Sequence, residues 1–243
     1  GLTEKGVYSL VGSSVRDERN VQHISKRIDP KLLKELNYKD ATSFDYDNKY
    51  GICINNNVYV LDYNLNEWYQ WTDIPASCFL NHDNYLYFGS NEKGLIYRFK
   101  KSNDMDLYSN DGKAIDAEWN SKIISVLNGT WQISIDRINF TLKPGHLASA
   151  DLYIETDRTG RRLLKANITD VNSIRVDLFD FNTFSFDNFT FDLSSFPKSA
   201  ALKAKEEKKI VYFNLTWKND RLNEGMGISN ISIKWNPVRE VRK

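Results

Sequence analysis

The sequence predicts an all-β protein: propeller-like antiparallel β blades that form an incomplete ring, followed by a β-sandwich. Three observations carry this. Ala41-Thr42-Ser43-Phe44, Asp47-Asn48-Lys49-Tyr50 and Val58-Tyr59-Val60-Leu61 are echoed by Ala76-Ser77-Cys78-Phe79, Asp83-Asn84-Tyr85-Leu86 and Ile96-Tyr97-Arg98-Phe99, starting 35 residues later. A repeat of that period marks stacked or radially arranged units. Aromatic residues make up 13% of the chain, a content that suits pleated, half-buried surfaces. Beyond residue 130, apolar and polar residues alternate with a period of two, as strands with one buried face require.

Residues 4–10 read as a short strand after a glycine turn. Residues 16–37 have a different texture. Ile24, Ile28, Leu32, Leu33 and Leu36 recur at spacings of three or four, and Asp29-Pro30 provides a cap and a first-turn proline, predicting a short helical insert near 24–37. From 41 to 99 the pattern is strand and turn. Asp45-Tyr46-Asp47-Asn48-Lys49, Asn55-Asn56-Asn57 and Asn64-Leu65-Asn66 separate short strands in the first unit, and His82-Asp83-Asn84 and Asn91-Glu92-Lys93-Gly94 do so in the second. Three or four short antiparallel strands per unit is the grammar of propeller blades. A plain meander would also give strands and turns, but it would need no residue-level echo.

Residues 101–116 are polar and turn-rich, and the predicted domains are 1–105 and 106–243. Strands are expected at 131–135, 137–142, 151–156, 174–178, 210–217 and 228–235, and within 184–193 two strands divided by an Asp187-Asn188 turn or bulge, with a turn at Asp157-Arg158-Thr159-Gly160. Residues 198–209, rich in Lys, Ala and Glu, read as a solvated loop or a short helix. Six or more alternating strands predict a two-sheet sandwich.

Composition narrows the function. The net charge of +1 provides no global field for nucleic acid or an anionic membrane. No apolar run approaches the roughly 18 residues that span a bilayer. The N-terminus has neither an initiator Met nor a signal-peptide apolar core, so a processed chain or a fragment of a longer one is expected. Cys53 and Cys78 are expected as reduced, buried small hydrophobes, with a bridge between neighbouring strands as the alternative. His23, His82 and His146 lack metal-ligand spacing.

No catalytic motif stands out. The Asp/Asn/Gly-rich segment 103–116 fails the EF-hand spacing, and Asn110-Asp111-Gly112 reads as a hairpin turn. There is no nucleophile elbow, no phosphate-binding glycine loop and no carboxylate pair singled out by spacing. No enzyme activity, cofactor or metal is expected. The clusters Lys203/Lys205/Lys208/Lys209 and Arg158/Arg161/Arg162 lack interleaved aromatics, so specific nucleic-acid binding is not expected. Six Asn-x-Ser/Thr sequons fall mostly inside alternating strands and carry no inference of glycosylation.

Two candidate sites remain. Arg16, Asp17, Glu18 and Arg19 form a charged cluster, read either as an interface latch to a neighbouring subunit or as an intra-chain surface network. Trp68, Tyr69 and Trp71 would stack on sugars if exposed, or fill the wedge between blades if buried.

The run Asp45-Tyr46-Asp47-Asn48-Lys49-Tyr50, Asn56-Asn57-Val58-Tyr59-Val60-Leu61-Asp62-Tyr63 and Trp68-Tyr69 resembles structural proteins of tailed bacteriophages and prophages of low-GC Gram-positive bacteria. Ala76-Ser77-Cys78-Phe79, Leu86-Tyr87-Phe88-Gly89 and Ile96-Tyr97-Arg98-Phe99 continue the likeness. Tyr108 to Trp119 resembles the junction where such chains leave a propeller-like region for a terminal β-sandwich. The resemblance covers roughly residues 4–125 and rests on aromatic and turn consensus. It implies a virion component of the tail or head–tail connection, assembled in the bacterial host cytoplasm. Such a component would work by self-association or ring assembly with other virion proteins, and would bind neither specific nucleic acid nor membrane. About two blades cannot close a ring, which takes at least about four. Either blades lie upstream, or the repeats form an open sheet that a partner covers. A carbohydrate-binding adhesin that recognises the bacterial surface is the alternative.

Overall fold

In a computed structural model the described residues are 1–12, 19–101, 108–126, 129–142, 149–169, 198–203, 208–225 and 227–240. The expected strands at 174–178 and 184–193 lie outside them. The fold is β-rich, built from antiparallel sheets, and the chain divides into two compact units, Gly1–Ser102 and Asn103–Lys243.

The first unit holds three antiparallel sheets. The first is β1 (Leu2–Thr3), β2 (Gly6–Gly12) and β3 (Arg19–His23). The second is a four-stranded meander of β4 (Thr42–Tyr46), β5 (Lys49–Ile54), β6 (Asn57–Asp62) and β7 (Glu67–Trp71). The third is β8 (Ala76–His82), β9 (Tyr85–Ser90) and β10 (Ile96–Arg98). The tight turns follow from Asx chemistry. Asp47 and Asn48, Asn55 and Asn56, and Asp83 and Asn84 all take positive φ, the backbone of a two-residue type I′ hairpin whose twist matches the strands. Asp62 Oδ1 accepts the N–H groups of Asn64 (2.9 Å) and Leu65 (3.1 Å) and so fixes the β6–β7 turn.

The middle sheet is covered on both faces. Ile52, Ile54 and Tyr59 pack with Val7 and Leu32 on one side; Phe44, Cys53, Val58 and Val60 pack with Leu86 and Phe88 on the other. This explains why Val58-Tyr59-Val60-Leu61 is apolar without alternation: all four side chains are buried. Phe44 and Phe79, matched in the sequence repeat, meet edge to face at 4.9 Å across the interface between the second and third sheets.

The predicted helical insert is a single turn, α1 (Asp29–Leu32), followed by a 3-10 turn Tyr38–Asp40. The expected cap Asp29 is instead the first helical residue, its carboxylate bound by Ser25 and His23, and the N-cap position falls to Ile28, whose side chain has no acceptor to cap with. So short a helix has too few hydrogen bonds to persist alone. The apolar spacing reports burial instead: Leu32 is buried, and Ile24 and Ile28 pack against the same cluster.

The second unit begins with β11 (Ser109–Asn110) and β12 (Lys113–Ala114), a small hairpin with Asp111 and Gly112 at positive φ. β13 (Ala117–Asn120) and β14 (Ile124–Ser125) follow, then β15 (Trp131–Leu142), β16 (Ser149–Thr156), β17 (Arg162–Thr169), β18 (Lys198–Lys203), β19 (Tyr212–Asn219) and β20 (Ile228–Glu240). One sheet runs β13-β19-β16-β17 with β14 also on β19; the other runs β18-β15-β20. Both contribute to one core, including Ile133, Ile138 and Phe140 from β15, Leu152 and Ile154 from β16, and Phe213, Leu215 and Trp217 from β19.

Two sequence expectations change here. Residues 131–135 and 137–142 are one strand with a register shift between Ile135 and Arg137. The bulge resets the phase, so Ile133 and Ile135 and then Ile138 and Phe140 all reach the core. Lys198–Lys203 is a strand on the open side of β15 rather than a loop or helix; the ladder overrides the helix preference of Lys and Ala. β20 runs on through Pro237, tolerated because β20 has one strand partner, β15, among the described residues.

Candidate interaction surfaces

Arg16, Asp17 and Glu18 lie outside the described residues. Arg19 opens β3 opposite Gly12, in the hairpin of β2 and β3. β7 separates the aromatic candidates by its two-residue period. Trp68 turns to the first sheet, where its Nε1 donates to the Ile24 carbonyl at 3.0 Å. Tyr69 and Trp71 share the other face, and Trp71 packs against Phe44 and Phe99 at ring distances of 5.9 and 5.3 Å. No single face therefore carries all three. Tyr69 alone is exposed, and burial of its surroundings together with the carboxylates of Asp62 and Asp47 pushes its pKa up to about 12.

The two outward faces of the first unit are apolar in part. On β2 and β3, Leu10 and Val21 are cross-strand partners pointing away from buried Val7, and they are 70% and 64% exposed. The outward face of the third sheet presents Cys78, Leu80, Tyr87, Gly89 and Ile96, and Leu80 and Ile96 are 61% and 79% exposed. Arg98 and Lys101 sit over the Tyr85 ring at 4.5 and 3.9 Å, so the open apolar part of this face is around Leu80 and Ile96. Both cysteines are free thiols; Cys53 is buried, whereas Cys78 is exposed, contrary to its sequence expectation, because it lies on this outward face.

Sequence reasoning did not single out a Ser–His–Asp cluster at the base of the first sheet. Buried Ser25 donates to Asp29 Oδ1 at 2.6 Å and accepts the Val7 N–H at 2.7 Å, and His23 Nε2 lies 3.2 Å from Ser25 Oγ and 3.0 Å from Asp29 Oδ2. This is not a nucleophilic triad. Ser and Asp approach the same imidazole nitrogen, so no relay runs through the ring, and the hydroxyl is already committed. The cluster fastens the chain. Gly6, at φ +119°, has no room for a side chain: a Cβ would stand 2.5 Å from His23 Nε2 and 2.7 Å from Ser25 Oγ.

In the second unit the solvent face of the larger sheet carries a polar chain. Thr216 donates to Asn120, Asn120 Nδ2 donates to Glu118 Oε1 at 2.9 Å, and Arg161 grips both Glu118 oxygens at 3.3 and 2.9 Å. The Arg161 guanidinium also lies 4.8 Å over the Tyr153 ring. Hydrogen bonds from Arg161 and Asn120 hold the Glu118 carboxyl below the usual carboxylate range. These groups satisfy one another and cover the Tyr153 ring.

Among the described residues no group of three His, Cys, Asp or Glu could hold a metal ion, and no helix is long and apolar enough to cross a membrane. The sequence matches no protein-family model and no curated protein.

Proposed function

We propose that this chain is a structural component of a tailed-phage virion, at the tail or the head–tail connection, acting through protein–protein interfaces and without catalysis. The observation that carries the reading is the pair of outward apolar faces in the first unit, Leu10/Val21 and Leu80/Ile96. Clustered exposed aliphatics mark interaction sites. The three sheets are then read as blades of an incomplete propeller. The double burial of the middle meander supports this, since inner blades are covered on both faces. The second unit is read as a β-sandwich, supported by the single core its two sheets share. The phage assignment itself rests on the resemblance over residues 4–125. Immunogold labelling of particles induced from the source bacterium tests it. Label at the tail or neck is expected; particles that carry none would remove the reading.

A second reading, recognition of a bacterial surface glycan, has one observation in its favour: Tyr69 is exposed and near the carboxylates of Asp47 and Asp62. Aromatic stacking beside carboxylate acceptors suits a sugar ring. A glycan array on which the protein binds nothing would sink it.

A further inference from the structure

We infer that the outward face of the smaller sheet in the second unit, at Arg137 and Lys234, binds the phosphate groups of a phosphodiester-linked polyol chain. This site belongs to the second unit alone and goes beyond both readings above.

The register fixes which side chains share the face. Ile135, Ile138 and Phe140 of β15 and Ile231, Ile233 and Trp235 of β20 turn to the core. Ser134, Arg137 and Asn139 and their partners Asn236, Lys234 and Ser232 therefore turn outward. The bulge decides the middle row: with Asp136 as the extra residue, Arg137 stands directly opposite Lys234. β18 brings Lys203 into register with Arg137 on its other side, so all three strands place a basic residue in one row.

Like charges directly opposite each other on paired strands are destabilising. The larger sheet of the same unit avoids this by matching its cations with carboxylates. Arg161 meets Glu118 at 2.9 Å, Arg221 meets Asp151 at 2.9 Å, and Lys218 lies 3.4 Å from both Asp116 and Asp220. The row on the smaller sheet has one carboxylate among the described residues, Asp136, at 3.7 Å from Lys234. Arg137 is exposed and has no ion-pair or hydrogen-bond partner among the described residues. An anion lying between the two cations would remove their repulsion.

The side chains define its chemistry. A tetrahedral phosphate directs its oxygens out of one plane, so the Arg137 fork and the Lys234 ammonium can both be met; a carboxylate has two coplanar oxygens, and one guanidinium takes up both. The face of the sheet is open and holds a lone phosphate weakly, which favours a chain. Measured along β20, the rows Ser134/Asn236 and Asn139/Ser232 lie about 6.8 Å to either side and offer hydroxyl and amide groups to polyol oxygens. On β15 and β20 these three rows carry no aromatic side chain on which a base could stack and no aliphatic one to enter a membrane.

Fluorescence anisotropy of labelled poly(glycerol phosphate) titrated with the full chain tests this. The wild type is expected to bind, and less tightly as salt is raised. Arg137→Gln with Lys234→Gln should weaken binding by at least about tenfold. Arg161→Gln with Lys218→Gln makes the same change in net charge on the larger sheet and should weaken it by less than about twofold. Asp136→Asn removes the competing carboxylate and should strengthen binding by about two- to fivefold. Thermal unfolding of the Arg137/Lys234 variant should match the wild type, since the opposed cations do not stabilise the fold. A wild type that does not bind, an Arg137/Lys234 variant that binds as the wild type does, a larger-sheet variant that loses as much, or an Asp136→Asn protein that binds no better would each overturn the inference. So would equal or tighter binding of poly-glutamate, of single-stranded DNA or of phosphatidylglycerol vesicles.

Discussion

Substituting Gly51 by Ala should destabilise the first unit, although alanine is the better strand residue. A Cβ at Gly51 would stand 2.2 Å from Cε1 and 2.3 Å from Cζ of Phe44. Carbon atoms pack at about 3.5–4.0 Å, so the ring must retreat by more than about 1 Å. It has nowhere to go: Trp71 stacks on it at 5.9 Å, Phe79 meets it at 4.9 Å, and Phe44 is buried. Overpacking of this kind costs about 1–3 kcal/mol, against a gain of about 0.5–1 kcal/mol from replacing a strand glycine. The net expectation is a loss of about 1–2 kcal/mol, read from urea unfolding followed by tryptophan fluorescence. Gly89→Ala is the control. There the new Cβ would meet Cys78 Sγ at 3.1 Å and Ser77 Oγ at 3.3 Å, small groups on an exposed face that can yield, so stability should hold or rise slightly. Combining Gly51→Ala with Phe44→Leu should cost less than the sum of the two alone, by at least about 0.5 kcal/mol. A Gly51→Ala protein with the wild-type midpoint, or strict additivity in that cycle, would refute the packing of the second and third sheets described above.

Other outcomes follow from the same geometry. Ser25→Ala leaves the Val7 N–H without its acceptor and should cost about 1–3 kcal/mol in thermal or urea unfolding. Burial and the hydrogen bond to Asp45 push the Tyr63 pKa up to about 12, and Tyr69 is also raised to about 12. Because these folded values exceed the unfolded one near 10, their contribution is complete below about pH 10 and is lost as pH rises towards 12. Phenolate absorbance should show both ionising late, and Tyr63→Phe with Tyr69→Phe should flatten the alkaline limb of the stability curve. Glu118 has the opposite sign: its folded pKa is depressed, so its contribution is present above the ordinary glutamate value and lost as pH falls through the lowered one. Arg161→Ala should weaken that acid dependence, with Asn120 and Lys218 still favouring the carboxylate, at a cost of only about 0.2–1 kcal/mol, since the pair is partly exposed and screened. Trp217 is fully buried, edge to face with Phe140 at 4.8 Å, and its Nε1 has no hydrogen-bond partner among the described residues. Trp217→Phe should therefore cost far less than the about 3–5 kcal/mol expected of Trp217→Ala.

The parts of the fold that were legible in the sequence are those fixed by local chemistry. The turns read at 45–49 and 82–84 were legible because Asp and Asn tolerate the left-handed backbone that hairpins need, although the turns proper shrink to Asp47-Asn48 and Asp83-Asn84. The apolar run at Val58–Leu61 was legible as strand, but its burial on both faces depends on neighbouring sheets. What stayed hidden was set by pairing at a distance. The one-residue phase change between Ile135 and Ile138 looks like two strands until β20 supplies the ladder that carries a bulge. Lys198–Lys203 has the composition of a solvated segment and becomes a strand through β15. The apolar spacing at 24–36 was read as helix, but packing against Ile52, Ile54 and Tyr59 rewards Ile24, Ile28 and Leu32 without needing more than one turn, and Leu33 and Leu36 stay exposed. The candidate surfaces follow the same division. The aromatics of β7 were visible, their assignment to opposite faces less so, and the exposed pairs Leu10/Val21 and Leu80/Ile96 have no signal of their own, because an isolated exposed aliphatic is ordinary in any sequence.

The central claim is that this chain works as a part of a particle. Quantitative mass spectrometry of purified, nuclease-treated phage particles whose genome encodes this chain measures it most directly. The account predicts peptides of this chain at a fixed copy number per particle, in step with the tail and neck proteins. Particles that are complete and infective but contain none of it would contradict the account.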